Sequence, residues 1–403
     1  MVNRTFIAAA AVYLFANAGL AENIELGPRP GYLVDLLDEG SLKDKLSACL
    51  EEEAHRTLFS IGHRGAPLMF PEHTAEGYIA AARMGAGVVE CDVTFTKDKE
   101  LVCRHSQSDL HTTTDILATD LASNCTQGFM PANGDSKADA ECRTSDITLE
   151  QFRSLSAKMD AANPSATTVE DYMNGTANWR TDLYVGGSGT LMTHTESIEL
   201  FKSLGVKFTP ELKSPKVDMP FDGFTQADYA QKLIDEYKAA GVPASDVWPQ
   251  SFKLEDILYW IENEPEFGKQ AVYLVEGNNT ENWDPMEPKT WAHQPSELKS
   301  LGVNYLAPAI WMLLTLEDGN LAPSTYAIKA KEAGLKLIAW SLERSGPLNS
   351  GGGWYFSSIA DATRNDSMYL EVLDFLTVEV GIDAMFSDWP ATTSFYASCM
   401  KLK

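Results

Sequence analysis

Residues 324–340 have the sequence STYAIKAKEAGLKLIAW, in which a helical stretch (324–333) is followed by Gly334 and an apolar run (335–340). Apolar residues recur at helical spacing in the first part. A glycine at this point fits the left-handed residue that ends a helix before the chain turns into a strand. The stretch therefore predicts one helix–glycine–strand unit.

The same unit recurs along the chain, for example where the helical stretch 72–84 precedes Gly85. The predicted strands are residues 58–61, 88–90, 206–208, 247–249, 271–274, 303–306, 335–340 and 382–386, and the glycines before them are Gly85, Gly205, Gly241, Gly268, Gly302, Gly334 and Gly381. Alternating strands and helices indicate a parallel sheet. Eight units favour an α/β protein closed into a (β/α)8 TIM barrel, with an open doubly wound sheet as the alternative.

The alternation breaks between about residues 106 and 189, a stretch rich in Asn, Ser, Thr, Asp and Gly. An ordinary βα loop has only about 2–6 residues. We therefore expect a long insertion after the second strand, lying over the barrel mouth; a solvated excursion is the alternative. A smaller interruption at 343–361 follows the seventh strand on the same rim. The expected organisation is an amino-terminal extension at 22–57 and a barrel at 58–403.

The composition excludes several classes of function. The 403 residues contain 32 Lys and Arg against 57 Asp and Glu, a formal net charge of −25. An acidic surface repels nucleic acids and anionic lipids, so neither a nucleic-acid partner nor stable membrane association is expected. With 44% hydrophobic and 22% charged residues, the chain is also far from the composition of disordered proteins.

Residues 1–21 have the pattern of a cleaved secretory signal. Arg4 precedes an apolar run at 6–15, and small residues around Ala18 and Ala21 offer cleavage sites. The run is shorter than the roughly 20 apolar residues of a membrane span. We therefore expect an exported protein, either periplasmic or secreted.

An even number of cysteines behind an export signal favours disulfides over metal thiolates. The six cysteines allow fifteen pairings. Among these we expect near neighbours to pair, which joins Cys91 to Cys103 and Cys125 to Cys142. The remaining pair would tie Cys49, near the amino end, to Cys399.

Acidic residues follow two of the predicted strands, where barrel enzymes place their chemistry. Glu90 and Asp92 are two residues apart and share one face of a strand, and Glu211 and Lys213 repeat this spacing. Three carboxylates in one cavity would be costly unless a cation neutralised them. Ligands that are all oxygen indicate one divalent cation, Ca²⁺ or Mg²⁺.

Two histidines, His63 and His105, also end predicted strands, and each lies beside an arginine. Imidazoles suit acid and base roles at neutral pH. Arg64 and Lys213 suit an anionic substrate, because a guanidinium can clamp two phosphate oxygens. These residue types together point to phosphodiester cleavage.

The ordered motifs resemble the glycerophosphodiester phosphodiesterase family, among the phosphatidylinositol phospholipase C-like phosphodiesterase barrels. The resemblance runs from about residue 59 to 390 and is poorest in the insertion. It rests on Gly62-His63-Arg64-Gly65-Ala66, Pro71-Glu72-His73-Thr74, Gly87-Val88-Val89-Glu90-Cys91-Asp92-Val93, Thr96-Lys97-Asp98, Leu101-Val102-Cys103-Arg104-His105, Glu211-Leu212-Lys213, Gln250-Ser251-Phe252, Gly381-Ile382-Asp383 and Ser387-Asp388-Trp389-Pro390.

The resemblance implies metal-dependent hydrolysis of glycerophosphodiesters, such as glycerophosphocholine, to glycerol 3-phosphate and an alcohol. The roles it implies are metal ligands (Glu90, Asp92, Glu211), general acid and base (His63, His105) and phosphate contacts (Arg64, Lys213). Glu72 is expected near the cation. The family's usual Asn is His73 here, and its usual His-Asp is His105-Ser106, so one carboxylate is missing or moved.

Other functions remain open at this point. A phospholipase D-like enzyme acting on lysophospholipids or sphingomyelin is the nearest alternative, and a sugar hydrolase or a non-catalytic binding protein could use the same barrel. Phe252 and Trp340, with Trp354 and Tyr355, could contact a choline-type headgroup or simply pack in the rim. Headgroup preference and oligomeric state are not predicted.

Overall fold

Eight parallel strands close into a barrel in the computed structural model, which describes residues 23–277 and 282–403. The strands, in chain order, are β1 (Thr57–Gly62), β2 (Ala86–Phe95), β3 (Leu101–Cys103), β4 (Gln127–Met130), β5 (Asp139–Glu141), β6 (Lys207–Leu212), β7 (Gln250–Ser251), β8 (Val272–Val275), β9 (Tyr305–Pro308), β10 (Leu314–Glu317), β11 (Asn320–Pro323), β12 (Lys336–Leu342) and β13 (Ala384–Ser387). Around the barrel the order is β1, β2, β6, β7, β8, β9, β12 and β13, and β13 pairs again with β1. The predicted TIM barrel is confirmed.

Helices separate the barrel strands and pack around them. They are α1 (Arg29–Asp35), α2 (Ser41–Ala48), α3 (Ala75–Arg83), α4 (Leu110–Thr113), α5 (Leu149–Phe152), α6 (Val169–Met173), α7 (His194–Leu204), α8 (Gln226–Ala239), α9 (Leu254–Asn263), α10 (Pro265–Gly268), α11 (Pro295–Ser300), α12 (Ile310–Leu313), α13 (Thr325–Glu332), α14 (Met368–Phe375) and α15 (Ala391–Cys399). Threonine and serine caps fix several starts; for example, the Thr74 hydroxyl accepts the Gly77 N–H at α3.

The barrel interior is closed by a small apolar cluster of inward-facing side chains. It consists of Ile61, Val88, Val272, Leu274, Ala307, Ile338, Ala384 and Phe386. Alternate residues of the same strands face outward into a larger core shared with the helices. Val88 faces in and Val89 faces out, so β2 shows the alternation directly. A filled interior leaves the ends of the strands as the place for a site.

Six of the seven predicted helix-ending glycines have the expected left-handed backbone: Gly85, Gly205, Gly241, Gly302, Gly334 and Gly381. The prediction is wrong for Gly268, which lies inside α10. A Cβ there would lie 2.6 Å from the Ile261 Cα of α9. This glycine is needed because two helices approach closely, and not because the chain turns.

Two local predictions differ from the structure. The strand expected at 247–249 is displaced to β7, because Pro249 lacks an N–H and Val247 forms only one isolated bridge, to Phe208. After β9 the chain adds an antiparallel hairpin, β10–β11, that was not predicted. Its turn, Asp318-Gly319, has both residues at positive φ, which is typical of a tight hairpin and was a usable signal.

The stretch at 106–189 has a hydrophobic core of its own and is more than a solvated excursion. The hairpin β4–β5 and three short helices, α4 to α6, pack around buried residues such as Ile116 and Phe152. Thr144 Oγ1 donates to the Phe95 carbonyl at the end of β2 (2.8 Å), which ties this stretch to the barrel. Ser106 lies on the wall of the cavity at the barrel mouth.

The three expected disulfides, Cys49–Cys399, Cys91–Cys103 and Cys125–Cys142, are present. The first ties the region of α2 to the end of α15. Disulfides persist in oxidising compartments, which agrees with export. The predicted signal sequence, 1–21, lies outside the described residues. Within the described ranges, every helix is too short or too polar to cross a bilayer.

Candidate active site

The inner face of β2 carries Val88, Glu90 and Asp92 in succession, because side chains alternate along a strand. Val88 belongs to the interior cluster, so the two carboxylates lie above it, toward the carboxyl end of the strand. In the parallel register, Asp92 lies opposite Glu211 of β6, and Glu211 lies opposite Gln250 of β7. Strand pairing therefore places polar side chains of three strands in one row.

Glu90, Asp92 and Glu211 each offer a carboxylate oxygen, and these oxygens all lie within 4.8 Å of one another. Burial and the neighbouring carboxylates raise the pKa of Glu90 well above its usual range. Burial likewise raises the pKa of Glu211 to about 7, although Lys213 opposes the shift. Against the same burial, Lys213 and His73 hold the pKa of Asp92 far below its usual range. Like charges are thus crowded into one buried site.

This cluster fits a hard divalent cation. All its donors are oxygen, the ligand type preferred by Ca²⁺ and Mg²⁺. Within the described part of the chain, Asp92 Oδ1 is buried and lacks a hydrogen-bond partner. Gln250 Nε2 donates to Glu90 Oε1 (2.8 Å), which orients that carboxylate. A cation among these oxygens would remove the repulsion that favours protonation of Glu90 and Glu211.

His63, at the end of β1, is held by a carboxylate from the far end of the barrel sequence. Its Nδ1 lies 2.5 Å from Asp388 Oδ1, and its Nε2 lies 3.9 Å from Glu90 Oε2. Against the effect of burial, Arg344 and His63 keep the pKa of Asp388 below its usual range, so Asp388 is ionised and accepts the hydrogen bond. Burial lowers the pKa of His63 to about 4. The neutral ring therefore carries its proton on Nδ1 and presents a free lone pair at Nε2.

His105, two residues after β3, lines the same cavity as His63. Burial, and then the cationic Arg64 and Lys213, lower the pKa of His105 well below its usual range. Asp109 brings a carboxylate near this histidine: one of its oxygens lies within 4.8 Å of a Glu72 carboxylate oxygen and of a His105 ring nitrogen. Asp109 Oδ2 accepts the backbone N–H of Ser106 (2.9 Å).

The two predicted phosphate contacts, Arg64 and Lys213, also line the small cavity between the histidines, which has a volume of about 40 Å³. Lys213 Nζ lies 2.5 Å from Glu211 Oε1. Burial alone would lower the pKa of Lys213, but the carboxylates of Glu211 and Asp92 outweigh it and raise that pKa. The Arg64 backbone N–H donates to Glu90 Oε2 (2.9 Å), and its Nη1 donates to Glu72 Oε2 (3.0 Å). Both cations therefore border the acidic cluster.

The remaining predicted residues lie around this centre. Glu72 pairs with Arg64 and Arg344, and its carboxylate lies within 4.8 Å of potential metal-ligating atoms of His105 and Asp109. Its place near the cation stays a prediction. The rings of Phe252 and Trp340 meet edge to face, with centroids 5.8 Å apart, on the cavity wall. All ten predicted site residues thus lie in or beside one region of the barrel mouth.

Besides Asp109, sequence reasoning missed four residues that contact this centre. His73, to which the sequence assigned no role, is fully buried, and its Nε2 lies 2.9 Å from Asp92 Oδ2. Gln250 lies in β7 and Asp388 directly follows β13, and both belong to the quoted motifs, which was a signal for them. Arg344 follows β12 inside the rim interruption and carried no such signal.

A wider cavity of about 730 Å³ opens outward from the catalytic centre. One wall is aromatic, formed by Phe252, Trp340, Trp354 and Tyr355. Other lining residues are charged, with Lys216, Lys253 and Glu276 in addition to the central groups. The space accepts a polar group larger than a phosphate.

Comparison with known proteins gives matches along most of the chain. The profile of the glycerophosphoryl diester phosphodiesterase family matches residues 63–392. A protein of Arthroderma benhamiae named extracellular protein is 47% identical over 249 residues, which cover 60% of this chain and 100% of that protein. A stretch of 49 residues, 12% of this chain, is 49% identical to a probable glycerophosphodiester phosphodiesterase 1 of Mycobacterium tuberculosis and covers 18% of it.

The fold also has a counterpart among solved structures. A protein of Silicibacter pomeroyi, described as a candidate glycerophosphoryl diester phosphodiesterase, superposes with a TM-score of 0.57 at 17% identity. The match covers 89% of this chain and 98% of that chain. This similarity agrees with the closed barrel described above.

Proposed function

Since the chain belongs to the glycerophosphoryl diester phosphodiesterase family and is a phosphoric diester hydrolase, we propose that it cleaves glycerophosphodiesters with one bound divalent cation, Ca²⁺ or Mg²⁺. The products would be glycerol 3-phosphate and the free alcohol. The observation that carries this proposal is the convergence of Glu90, Asp92 and Glu211 within 4.8 Å, beside two histidines that share a cavity.

Glu90, Asp92 and Glu211 would hold the cation, which would polarise a nonbridging phosphate oxygen. Arg64 and Lys213 would bind the substrate phosphate from the same cavity wall. Their positive charges stabilise the negative charge that builds on phosphorus oxygens in the transition state. Because both are anchored by carboxylates, they need little reorganisation when substrate binds.

His63 and His105 would move the protons. His63 Nε2 is free to accept a proton from the attacking oxygen, while Asp388 stabilises the imidazolium that forms. The negative charge of the bound substrate phosphate would favour the protonated form of His105, which would then donate a proton to the alcohol oxygen as the phosphorus–oxygen bond breaks, so that the alcohol leaves neutral. Both histidines would be reset before the next turnover: His63 gives up the proton that it accepted, and His105 takes one from water.

The attacking oxygen is either water or the glycerol 2-hydroxyl, which would give a cyclic phosphate that water then opens. A diester without a vicinal hydroxyl distinguishes the routes. Rapid cleavage of that diester would exclude obligatory attack by the hydroxyl. No cleavage, together with trapping of a cyclic phosphate from glycerophosphocholine, would exclude direct attack by water.

The alcohol would occupy the wider cavity. Its aromatic rings already contact each other, with centroids of Trp340 and Trp354 5.7 Å apart and of Trp354 and Tyr355 5.0 Å apart. A trimethylammonium group could therefore pack on their outer faces but could not insert between them. Glycerophosphocholine is a reasonable test substrate, and glycerophosphoserine and glycerophosphoglycerol probe the lysines at 216 and 253.

Product analysis tests the proposed reaction. Purified protein supplied with Ca²⁺ or Mg²⁺ is expected to release choline and glycerol 3-phosphate from glycerophosphocholine. Release of phosphocholine and glycerol would show cleavage of the other phosphoester bond and contradict the proposal. Faster turnover of lysophosphatidylcholine or sphingomyelin than of glycerophosphocholine would instead support a phospholipase D-like enzyme.

We further propose that the protein is exported. Three disulfides and the amino-terminal pattern support this location. Expression of the full chain is expected to give a mature form that begins near residue 22 outside the cytoplasm. Retention of an intact amino terminus inside the cell would contradict it.

A further inference from the structure

Arg344 connects three carboxylates at the edge of the catalytic centre. Its Nη1 donates to Asp388 Oδ2 (3.2 Å), and its Nη2 donates to Glu72 Oε2 (3.1 Å) and to Asp160 Oδ2 (3.2 Å). The Arg344 side chain is only 15% exposed, and Asp388 is fully buried. Ion pairs in such surroundings are weakly screened, so their geometry is well defined.

One of these carboxylates belongs to the insertion. Asp160 also forms a bidentate ion pair with Arg180, whose two Nη atoms contact the two carboxylate oxygens of Asp160 (3.0 and 2.5 Å). Arg180 also donates to the carbonyl of Pro67, in the loop after β1 (Nη2, 2.6 Å). The insertion is therefore fastened to the rim on which Arg344 lies.

The backbone just before Arg344, at Glu343, is held in place as well. Glu343 has a left-handed backbone (φ +65°), which costs a non-glycine residue free energy and persists only where surrounding contacts enforce it. Its buried carboxylate accepts hydrogen bonds from Ser387 Oγ (2.7 Å) and Thr392 Oγ1 (2.6 Å). Because Glu343 directly precedes Arg344 and Ser387 directly precedes Asp388, the hydrogen bond between Glu343 and Ser387 holds the arginine and its partner carboxylate next to each other.

Asp388 divides its two oxygens between two partners. Oδ1 binds His63 Nδ1 at 2.5 Å, and Oδ2 binds Arg344. We infer that Arg344, supported by Asp160 of the insertion, is a positioning residue that fixes the Asp388 carboxylate and through it the ring of His63. The insertion then has a part in catalysis beyond covering the barrel mouth.

This inference rests on the proposed function, in which His63 transfers a proton. Without Arg344, the Asp388 carboxylate loses one of these two hydrogen-bond partners but stays charged and buried. The His63 ring would then rotate over a wider range, while the phosphate contacts of the substrate would remain. Turnover should suffer and substrate binding should not.

Steady-state kinetics of Arg344→Met test this separation. We expect kcat to fall about 10- to 100-fold, as when an outer partner of an active-site ligand is removed, with KM nearly unchanged. Arg364→Met is the matched control, because Arg364 is half-exposed, pairs with Asp38 and Glu371, and does not line either cavity of the site. The control should keep the wild-type kcat. An unchanged kcat in Arg344→Met would overturn the inference.

A double-mutant cycle with Asp388→Asn separates positioning from a general loss of structure. If Arg344 acts through Asp388, the double variant should be no slower than Asp388→Asn alone, because coupled residues are not additive. Losses that multiply would contradict the inference. Millimolar guanidinium should restore part of the kcat of Arg344→Ala and should not affect wild type; no recovery would count against it.

If the Arg344 variants fail to fold, Asp160→Asn gives an independent test, because it removes one charge from the insertion side and leaves Arg344 in place. We expect a smaller fall in kcat at unchanged KM, and wild-type kcat would overturn the role of the insertion. Wild-type turnover of glycerophosphocholine tests the proposed function separately. An active wild type with an unaffected Asp160→Asn variant would leave that function standing and refute only the supporting role of Asp160 and the insertion.

Discussion

Two groups of acidic side chains at the candidate site, here named the strand wall and the loop wall, are built in different ways. The strand wall consists of Glu90, Asp92 and Glu211, whose positions follow from the pairing of β2 with β6. Its three carboxylates face two cationic side chains: Lys213 pairs with Glu211, and Arg64, which also pairs with Glu72, lies 3.7 Å from Asp92. The wall is thus short of positive charge, as expected of a site for a cation.

The loop wall consists of Glu72, Asp160 and Asp388, which come from three separate connections. These carboxylates are matched by guanidinium groups, among them Arg344, which contacts all three. Since its charges are already paired, the loop wall has no need of a metal ion. The difference teaches that acidic groups lying close together do not by themselves identify a metal site. What identifies it is negative charge that is not balanced by neighbouring cationic side chains.

Breaking the strand wall should have the largest effect. Glu211→Gln keeps the size of the side chain but removes a ligand charge, so we expect turnover to fall about 10³- to 10⁴-fold, since a cation supplies several kcal/mol. Cation affinity should fall in parallel. Glu199→Gln, on an exposed helix surface, is the control. If Glu211→Gln kept the wild-type turnover, the cation would have to be held by other residues.

The histidines between the walls come next. His63→Ala or His105→Ala should lower turnover by about 10²- to 10⁴-fold, the usual contribution of an acid or base. Cation binding should be retained, which separates these variants from those of the strand wall. His55→Ala, at an exposed position, should behave as wild type. Turnover within about threefold of wild type would remove that histidine from the mechanism.

Within the loop wall, Glu72→Gln should have an intermediate effect. The variant weakens the anchoring of Arg64 (3.0 Å) and Arg344 (3.1 Å) without touching the acidic cluster. We expect kcat/KM to fall roughly 10-fold, with cation affinity unchanged. A large loss of cation affinity would instead move Glu72 into the metal site, as the sequence led us to expect.

The smallest catalytic effect should follow removal of the Cys125–Cys142 disulfide, which lies in the insertion away from both walls. The double serine variant should lose about 2–4 kcal/mol of unfolding free energy. Its kcat at a temperature where it stays folded should remain near wild type. A collapse of kcat without unfolding would show that this part of the insertion also shapes the centre.

The strand wall could be predicted from the sequence because strand periodicity and strand ends constrain it. Glu90, Asp92 and Glu211 follow buried apolar runs, and their convergence needs only a closed parallel barrel. The loop wall could not be predicted in this way. Arg344 meets Asp160 across 184 residues, and no periodic pattern relates the two connections. Asp109 was missed because the chain between it and His105 turns back on itself.

One cation held by the three carboxylates of β2 and β6 is the feature on which the proposed mechanism depends most. Calorimetric titration of chelated protein with Ca²⁺ and with Mg²⁺, alongside turnover of glycerophosphocholine, tests this directly. We predict one bound equivalent of at least one of these ions, with turnover lost on chelation and restored at the same occupancy. Full turnover by the chelated protein, or restored turnover without saturable binding, would contradict the account.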